Sequence, residues 1–367
     1  MSTYLVKFTP LEPYFFGNER SFGDRLAENK TYFITSNETP SQSSLLGTLR
    51  YCCIDHPKAD FSIGDEDNIG EESFNLQSER RQSFGVIKHI SPMFLLDENG
   101  FYYIPVPYNH KASDETKVYT PFSKYEACMT HSGEQLMPMD YDAKSGIAGG
   151  FLQINGSGKG TVETGFIDEI VRIGINKNQD ADGLFRKAFR SLKTGCSFAV
   201  LAEIDKAMED RIVYMGKDKS MFKVTFESPE VLASETGSYD LTLTAFINSI
   251  IDCLRIYNKQ PLQVAISDVY IPDSIEALYD VCTFACVQTR DYRSLRTVYG
   301  KRPFVERYEK GKRLQSMIKA GSFFNARNKE LSVLEPWEKN YNFKNCLQAG
   351  YNFVINTGKE FDAKLYL

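Results

Sequence analysis

The chain has 367 residues, 42% hydrophobic and 25% charged, the balance of a folded globular protein; at about 150 residues per domain it predicts two or three domains. Its 26 Phe and 21 Tyr supply a large core, which excludes a disordered or collagen-like chain. Net charge is -5, so bulk electrostatics predict no polyanion partner, and no apolar run approaches the roughly 18 residues of a membrane span.

Residues 4–8 read as a short alternating strand, stopped by the turn-rich segment 10–13. Residues 1–8 carry one Lys and no extended apolar run, so no signal peptide is expected. With eight scattered cysteines, a reducing cytoplasm follows. A helix begins near Ser41, its expected N-cap, with Leu45, Leu46, Leu49, Cys52 and Cys53 on one apolar face. From Asp55 to Glu72, seven acids against one Lys, mixed with Gly64, Asn68 and Gly70, predict a solvated loop.

Segments 86–96 and 101–106 are apolar strands around an Asn-Gly turn, a hairpin signature. Segment 111–165 is glycine-rich, irregular and too long for a plain connection. Within it, 156–161 (GSGKGT) superficially resembles a phosphate loop. The first Gly of that pattern is replaced by Gln153, and Gly160 stands where Ser or Thr would ligate Mg²⁺, so a flexible RNA- or partner-facing loop is expected instead.

Segments 167–175, 195–204 and 222–226 read as strands. Segment 184–193 fits a helix or a strand. A second cycle follows: strand 241–246, helix 247–256, strand 264–271, helix 275–286, then strands within 316–324 and 351–355. Two successive β-α-β-β-type units predict an α+β chain of two ferredoxin-like (RRM-like) domains in tandem.

Between Arg290 and Arg313, nine Lys or Arg face three acids, and Tyr292, Tyr299, Phe304 and Tyr308 are interleaved. A cationic track broken by rings suits single-stranded RNA, phosphates meeting cations and bases meeting rings. A solvated loop with core aromatics is the alternative. Cys282 and Cys286 lack further ligands, and His56, His89, His110 and His131 lack metal-ligand spacing, so no metal or cofactor is expected. No nucleophile elbow or zinc-protease helix occurs, and binding is favoured over catalysis.

Segment 11–22 (LEPYFFGNERSF) followed by 40–50 (PSQSSLLGTLR) resembles the opening of RAMP-superfamily CRISPR proteins, and most of all the family of third subunits of the Cmr module in type III-B effector complexes. Collinear similarities follow at 90–96 with 101–107, at 171–175 (VRIGI), 215–219 (MGKDK), 319–324 (KAGSFF) and 349–352 (AGYN). The resemblance implies ferredoxin-like domains at 1–227 and 228–367. A thumb-type insertion is expected in the first, at about 54–166 with the hairpin.

It further implies a non-catalytic role: holding the 5′ handle of crRNA and capping the complex beside the large polymerase-palm subunit. The other partners implied are the backbone RAMP subunits and, indirectly, target RNA; no membrane is implied. Ser41, Gln42, Ser43 and Ser44 would offer donors to phosphate at a helix N-terminus. Gly47 would permit close approach, or else pack the helix on a strand. Arg20 and Arg50 are the first phosphate candidates, against surface ion pairs as the alternative. Arg172, Lys217 and Lys219 come second. Asn18, Lys312, Arg313, Lys319, Gly321 and Ser322 complete the RNA-binding set. Phe151, Leu152 and Ile154 are wedge candidates in the thumb, with a local mini-core as the alternative. The competing enzyme reading is a RAMP endoribonuclease acting on precursor crRNA, which would need one of the four histidines as acid or base.

Overall fold

Residues 197–204 (SFAVLAEI) are apolar almost without break, the pattern of a strand buried on both faces. The computed structural model places them at the centre of the largest sheet. It describes residues 2–17, 20–22, 32–55, 66–70, 73–111, 117–130, 133–141, 144, 146–156, 158–175, 184–216, 218–233, 237–293 and 314–361.

The fold is mixed α and β with strands predominating. The first part holds β1 (Ser2–Pro10), β2 (Arg20–Phe22), β3 (Tyr32–Thr35), α1 (Gln42–Cys52), α2 (Glu66–Ile69), β4 (Ile87–Ile90), β5 (Phe94–Leu96), β6 (Tyr102–Pro105), β7 (Tyr125–Thr130), β8 (Gly133–Pro138), β9 (Phe151–Gln153) and β10 (Val162–Glu163). Then come β11 (Ile167–Ile175), β12 (Leu184–Leu192), β13 (Ser197–Ile204), β14 (Arg211–Met215), β15 (Ser220–Glu227), β16 (Glu230–Ala233) and β17 (Gly237–Asp240). The last part holds α3 (Leu243–Tyr257), β18 (Gln263–Ala265), α4 (Leu278–Val281), β19 (Cys282–Cys286), β20 (Thr289–Arg293), β21 (Leu314–Ile318), β22 (Phe323–Ala326), α5 (Tyr341–Gln348) and β23 (Val354–Asn356).

The nine-stranded sheet runs β10-β9-β6-β5-β13-β1-β15-β14, with β4 also on β13. Alternation along its strands sends Val6, Phe8, Phe198, Val200, Phe222 and Val224 to one face, against Leu45, Leu46 and Leu49 of α1. Leu5, Phe94, Leu96 and Leu201 go to the other face, against Phe246, Ile247 and Ile250 of α3. Phe94 and Phe246 lie 4.8 Å apart, and the Tyr102 and Ser249 hydroxyls 2.6 Å. α1 and α3 are capped by hydroxyl side chains: Ser41 Oγ accepts from Ser44 N, and Thr242 Oγ1 from Ala245 N. A four-stranded sheet, β19-β22-β18-β23, holds the last part, every adjacent pair antiparallel. A separate four-stranded sheet runs β11-β12-β3-β2, its β12–β3 pair parallel.

Several expectations are corrected. Segment 241–246 is helical from Leu243, because Thr242 caps there and the apolar residues then recur at helical spacing. Segment 275–286 is two short helical turns followed by strand β19, so Cys282 and Cys286 lie on a strand. Segment 264–271 stops as a strand at Ala265. Segment 184–193 is strand β12, with Ala188, Phe189 and Leu192 buried. Segment 111–165 is not irregular throughout: it contains the β7–β8 hairpin, and β9 and β10 extend the nine-stranded sheet. The acidic loop is interrupted by α2, which buries Ile69; its residues 56–65, 71 and 72 lie outside the described ones.

Candidate nucleic-acid interface

The β11-β12-β3-β2 sheet brings basic positions into one row. Arg172 pairs with Lys187, Lys187 with Ile34, and Ile34 with Arg20, so these positions share a face across four strands. The row is packed on aromatic rings: Phe15 lies 5.3 Å from Phe189, and both are buried with Ile34. The Arg172 guanidinium sits 4.6 Å above Phe189 and is solvent-exposed. Lys187 Nζ is 5.4 Å from the Phe15 ring and 2.8 Å from Asp218 Oδ2. Asp218 belongs to the 216–219 turn. Gly216 has φ 76°, and a Cβ there would stand 2.4 Å from the Phe15 carbonyl oxygen, so only glycine seats the turn against Phe15. Lys219, exposed at φ 56°, ends it.

The N-terminus of α1 is arranged differently. Ser43 N donates to Tyr351 Oη at 2.9 Å, and Ser44 N donates to Ser41 Oγ at 3.2 Å. Ser41 Oγ lies 3.0 Å from Ser43 Oγ and 2.8 Å from Ser44 Oγ. Gln42 is buried, its Nε2 donating to the Ser91 carbonyl at 2.8 Å. Two of the first-turn amides that would meet a phosphate are thus already satisfied inside the protein. Tyr351 stacks on Phe74 at 5.7 Å, and burial pushes its hydroxyl up to about 12. Burial also raises Tyr292, whose ring meets Tyr351 at 6.2 Å. Nearby, Arg290 Nη2 lies 2.6 Å from Asp268 Oδ2.

Other expected site residues fall elsewhere. Arg50 Nη2 donates to the Gly70 carbonyl at 3.1 Å, at the far end of α1. Gly47 is exposed and a Cβ there would meet open space, which overturns helix-on-strand packing as its reason. Lys319 Nζ donates to Gln288 Oε1 at 3.3 Å. Gly321 and Ser322 are buried, and a Cβ at Gly321 would crowd Tyr108 and the Val106 carbonyl; they close a packed turn rather than face solvent.

Phe151, Leu152 and Ile154 are corrected most plainly. All three are core residues, and β9 pairs on both sides, so their side chains are spent on packing and present no wedge. The 156–161 loop is likewise not free: Tyr257 Oη donates to the Lys159 carbonyl at 3.0 Å, and a Cβ at Gly160 would collide with that tyrosine. Asn18, Lys217, Lys312 and Arg313, with His56, His131, Tyr299, Phe304 and Tyr308, lie outside the described residues.

Neither described histidine presents a general base. His89 is buried, which lowers its imidazole to about 4. His110 is buried too, and its Nδ1 accepts from Thr120 N at 2.9 Å. Among the described residues, no group of three or more His, Cys, Asp or Glu is placed to hold a metal ion, and no helix is long and apolar enough to cross a membrane. Sequence reasoning missed Lys187, Asp268 and Tyr351 as site-forming residues, and read Arg290 as the start of the cationic track without its Asp268 partner. Tyr351 stood inside the 349–352 turn already singled out; Lys187 had no signal until β12 was known to be a strand beside Arg172.

Comparison with known proteins completes the picture. The family model described as CRISPR-associated protein (Cas_Cmr3) matches residues 6–240. No curated protein matches. Among solved structures, a chain of the type III-B Cmr-beta complex bound to cognate target RNA and AMPPnP, state 1, is similar with a TM-score of 0.50 and 15% identity, over 98% of each chain. A chain of the same complex bound to cognate target RNA has a TM-score of 0.49 and 16% identity, again over 98% of each chain.

Proposed function

This chain belongs to the CRISPR-associated Cas_Cmr3 family, and from that premise we propose that it is a non-catalytic subunit of a type III-B effector ribonucleoprotein that grips the 5′ handle of crRNA. It caps the base of the complex beside the large polymerase-palm subunit, with backbone RAMP subunits as its other neighbours and target RNA reached indirectly. It works in the cytoplasm.

The observation that carries this reading is the Arg172–Lys187 row seated on Phe15 and Phe189. Cations held in a fixed line over a rigid aromatic floor meet successive phosphates without ordering long side chains at the moment of binding. Arg20 joins that row by register. Asn18, Lys217 and Lys219 flank it in sequence or in the neighbouring turn, and Lys312 and Arg313 would extend the cationic surface. The RNA-bound state of the similar solved complexes agrees with this.

The two-domain reading, 1–227 and 228–367, is supported by strand order. In the last part, β18-α4-β19-β22-α5-β23 folds with spatial order second-third-first-fourth, the antiparallel order of a ferredoxin-like module. In the first part, β5-β13-β1-β15 has the same order, but no helix joins β13 to β15; the β14–β15 hairpin stands there instead. With 151–154 assigned to the core, the wedge of the thumb is better sought on the β7–β8 hairpin, where Met129 is 79% exposed.

Purified protein incubated with crRNA, with and without its 5′ handle, tests the proposal. The expected result is handle-dependent binding with the RNA intact in both EDTA and Mg²⁺. Site-specific cleavage lost on replacing one histidine would replace this reading with the endoribonuclease one.

A further inference from the structure

β14 is an edge of the nine-stranded sheet, paired with β15 on one side and with no described residue on the other. The direction its backbone faces follows from the neighbouring strand. Met221 N donates to Glu12 Oε1 at 2.9 Å, and the Met221 carbonyl accepts from Leu11 N at 2.9 Å. Met221 therefore spends its backbone groups away from β14. Opposed residues in an antiparallel ladder either bond each other or both turn away. Tyr214, opposite Met221, thus points its N–H and C=O outward, and Ile212, two positions earlier, does the same.

The same two residues carry exposed apolar side chains, Ile212 at 67% and Tyr214 at 68%, over Met221 on the adjoining strand. Sheet edges are normally blunted by Pro, by charge, by a bulge or by cover. β14 has no Pro and pairs without a register shift. Its one charged residue, Arg211, is turned inward, Nη1 donating to the Ile54 carbonyl at 2.8 Å. The opposite edge is covered: Val162 N of β10 donates to the Lys117 carbonyl, and Val118 bridges Thr161.

We propose that β14 is a docking edge for an extended strand of a neighbouring protein subunit, apolar where it crosses Ile212 and Tyr214 and acidic where it passes Lys223, opposite Ile212. The inference rests on the reading above that the chain works inside a multisubunit ribonucleoprotein. Outward amide and carbonyl pairs beside alternating apolar side chains match a peptide backbone, whereas RNA is met first by cations. A five-residue ladder buries far less than the about 1,200–2,000 Å² of a stable interface. It therefore holds only where further contacts fix the partner, as a neighbouring subunit's would. Half-exposed Lys223, paired with Ile212, borders the apolar pair, and among the described residues its ion-pair partner is Asp210 at 3.8 Å.

The test places a benzophenone amino acid at Tyr214 in the complex assembled from this chain, the co-expressed large and backbone subunits, and crRNA. Irradiation should yield an adduct within an extended segment of one protein subunit. The double variant Ile212→Lys/Tyr214→Lys should enter the complex at least tenfold less efficiently, while the isolated variant keeps the wild-type melting temperature and crRNA affinity. An adduct to crRNA alone, to a second copy alone, or none at all in an assembled complex overturns the docking edge and leaves complex membership standing. Failure of the unmodified chain to co-purify with any subunit or with crRNA overturns both.

Discussion

Two regions of this protein carry phosphate-site candidates, and the structure separates them. The Ser41–Ser44 stretch has the hydroxyls and the helix N-terminus, yet its amides are turned onto Tyr351 and Ser41 itself. The Arg172–Lys187 row has no helix end, yet it keeps an exposed guanidinium over an aromatic floor. The lesson is one of accounting: a donor already satisfied within the fold contributes rigidity, and only a group with spare capacity recruits a ligand.

The largest expected effect breaks that comparison outright. Arg172→Ala with Lys187→Ala should weaken crRNA binding by at least about a hundredfold, the loss of two charge-assisted contacts at roughly 1.5–3 kcal/mol each. The slope of log affinity against log salt should fall by about 1.4. Filter binding across a salt series reads both, and an unchanged slope would remove this row from the interface.

Next is the pH response of His89, which lies on β4 beneath α5. Its folded pKa is depressed to about 4 from about 6.5 in the unfolded chain. The unfolded state therefore binds the extra proton first as pH falls. Stability should be level above about pH 6.5 and decline between pH 6.5 and 4, by up to roughly 3 kcal/mol. Denaturant titration at several pH values measures this, and His89→Leu should flatten the decline.

Tyr351→Phe tests the other region. It leaves the Ser43 amide without its partner, which should cost about 1–3 kcal/mol of stability, with crRNA affinity changed less than twofold. A large affinity loss at unchanged stability would instead return the helix N-terminus to the RNA site. The smallest effect sharpens the comparison further. Gly47→Ala fills open space on a helix, so it should stabilise the free protein by about 1 kcal/mol. If crRNA binding nonetheless weakens, the exposed flank of α1 is approached by RNA.

Much of the fold was legible because period and capping are local. The α1 face of Leu45, Leu46 and Leu49, the Ser41 cap and the hairpin of β5 and β6 all stand as read. What failed was decided by distant partners. Segment 184–192 fits a helix as well as a strand when read alone, and its antiparallel pairing with β11 along its whole length, with β3 from far back in the chain on its other side, makes it a strand. Phe151, Leu152 and Ile154 look like a loose loop's apolar tip until β6 and β10 are found on either side of β9. For the site, Arg20, Arg172 and Lys219 were read from motifs, whereas the neutralising Asp218 and the Phe15–Phe189 floor depend on strand register that spacing cannot reveal.

The position of α3 carries one more consequence. Its side chains Phe246, Ile247 and Ile250 cover a sheet whose strands all lie earlier in the chain. During synthesis, the apolar surface of Phe94, Leu96 and Leu201 stays bare until residue 257 has cleared the ribosome. A fragment ending at 227 would carry that surface permanently into solution and precipitate, so the nascent first half depends on a segment of the second to become soluble.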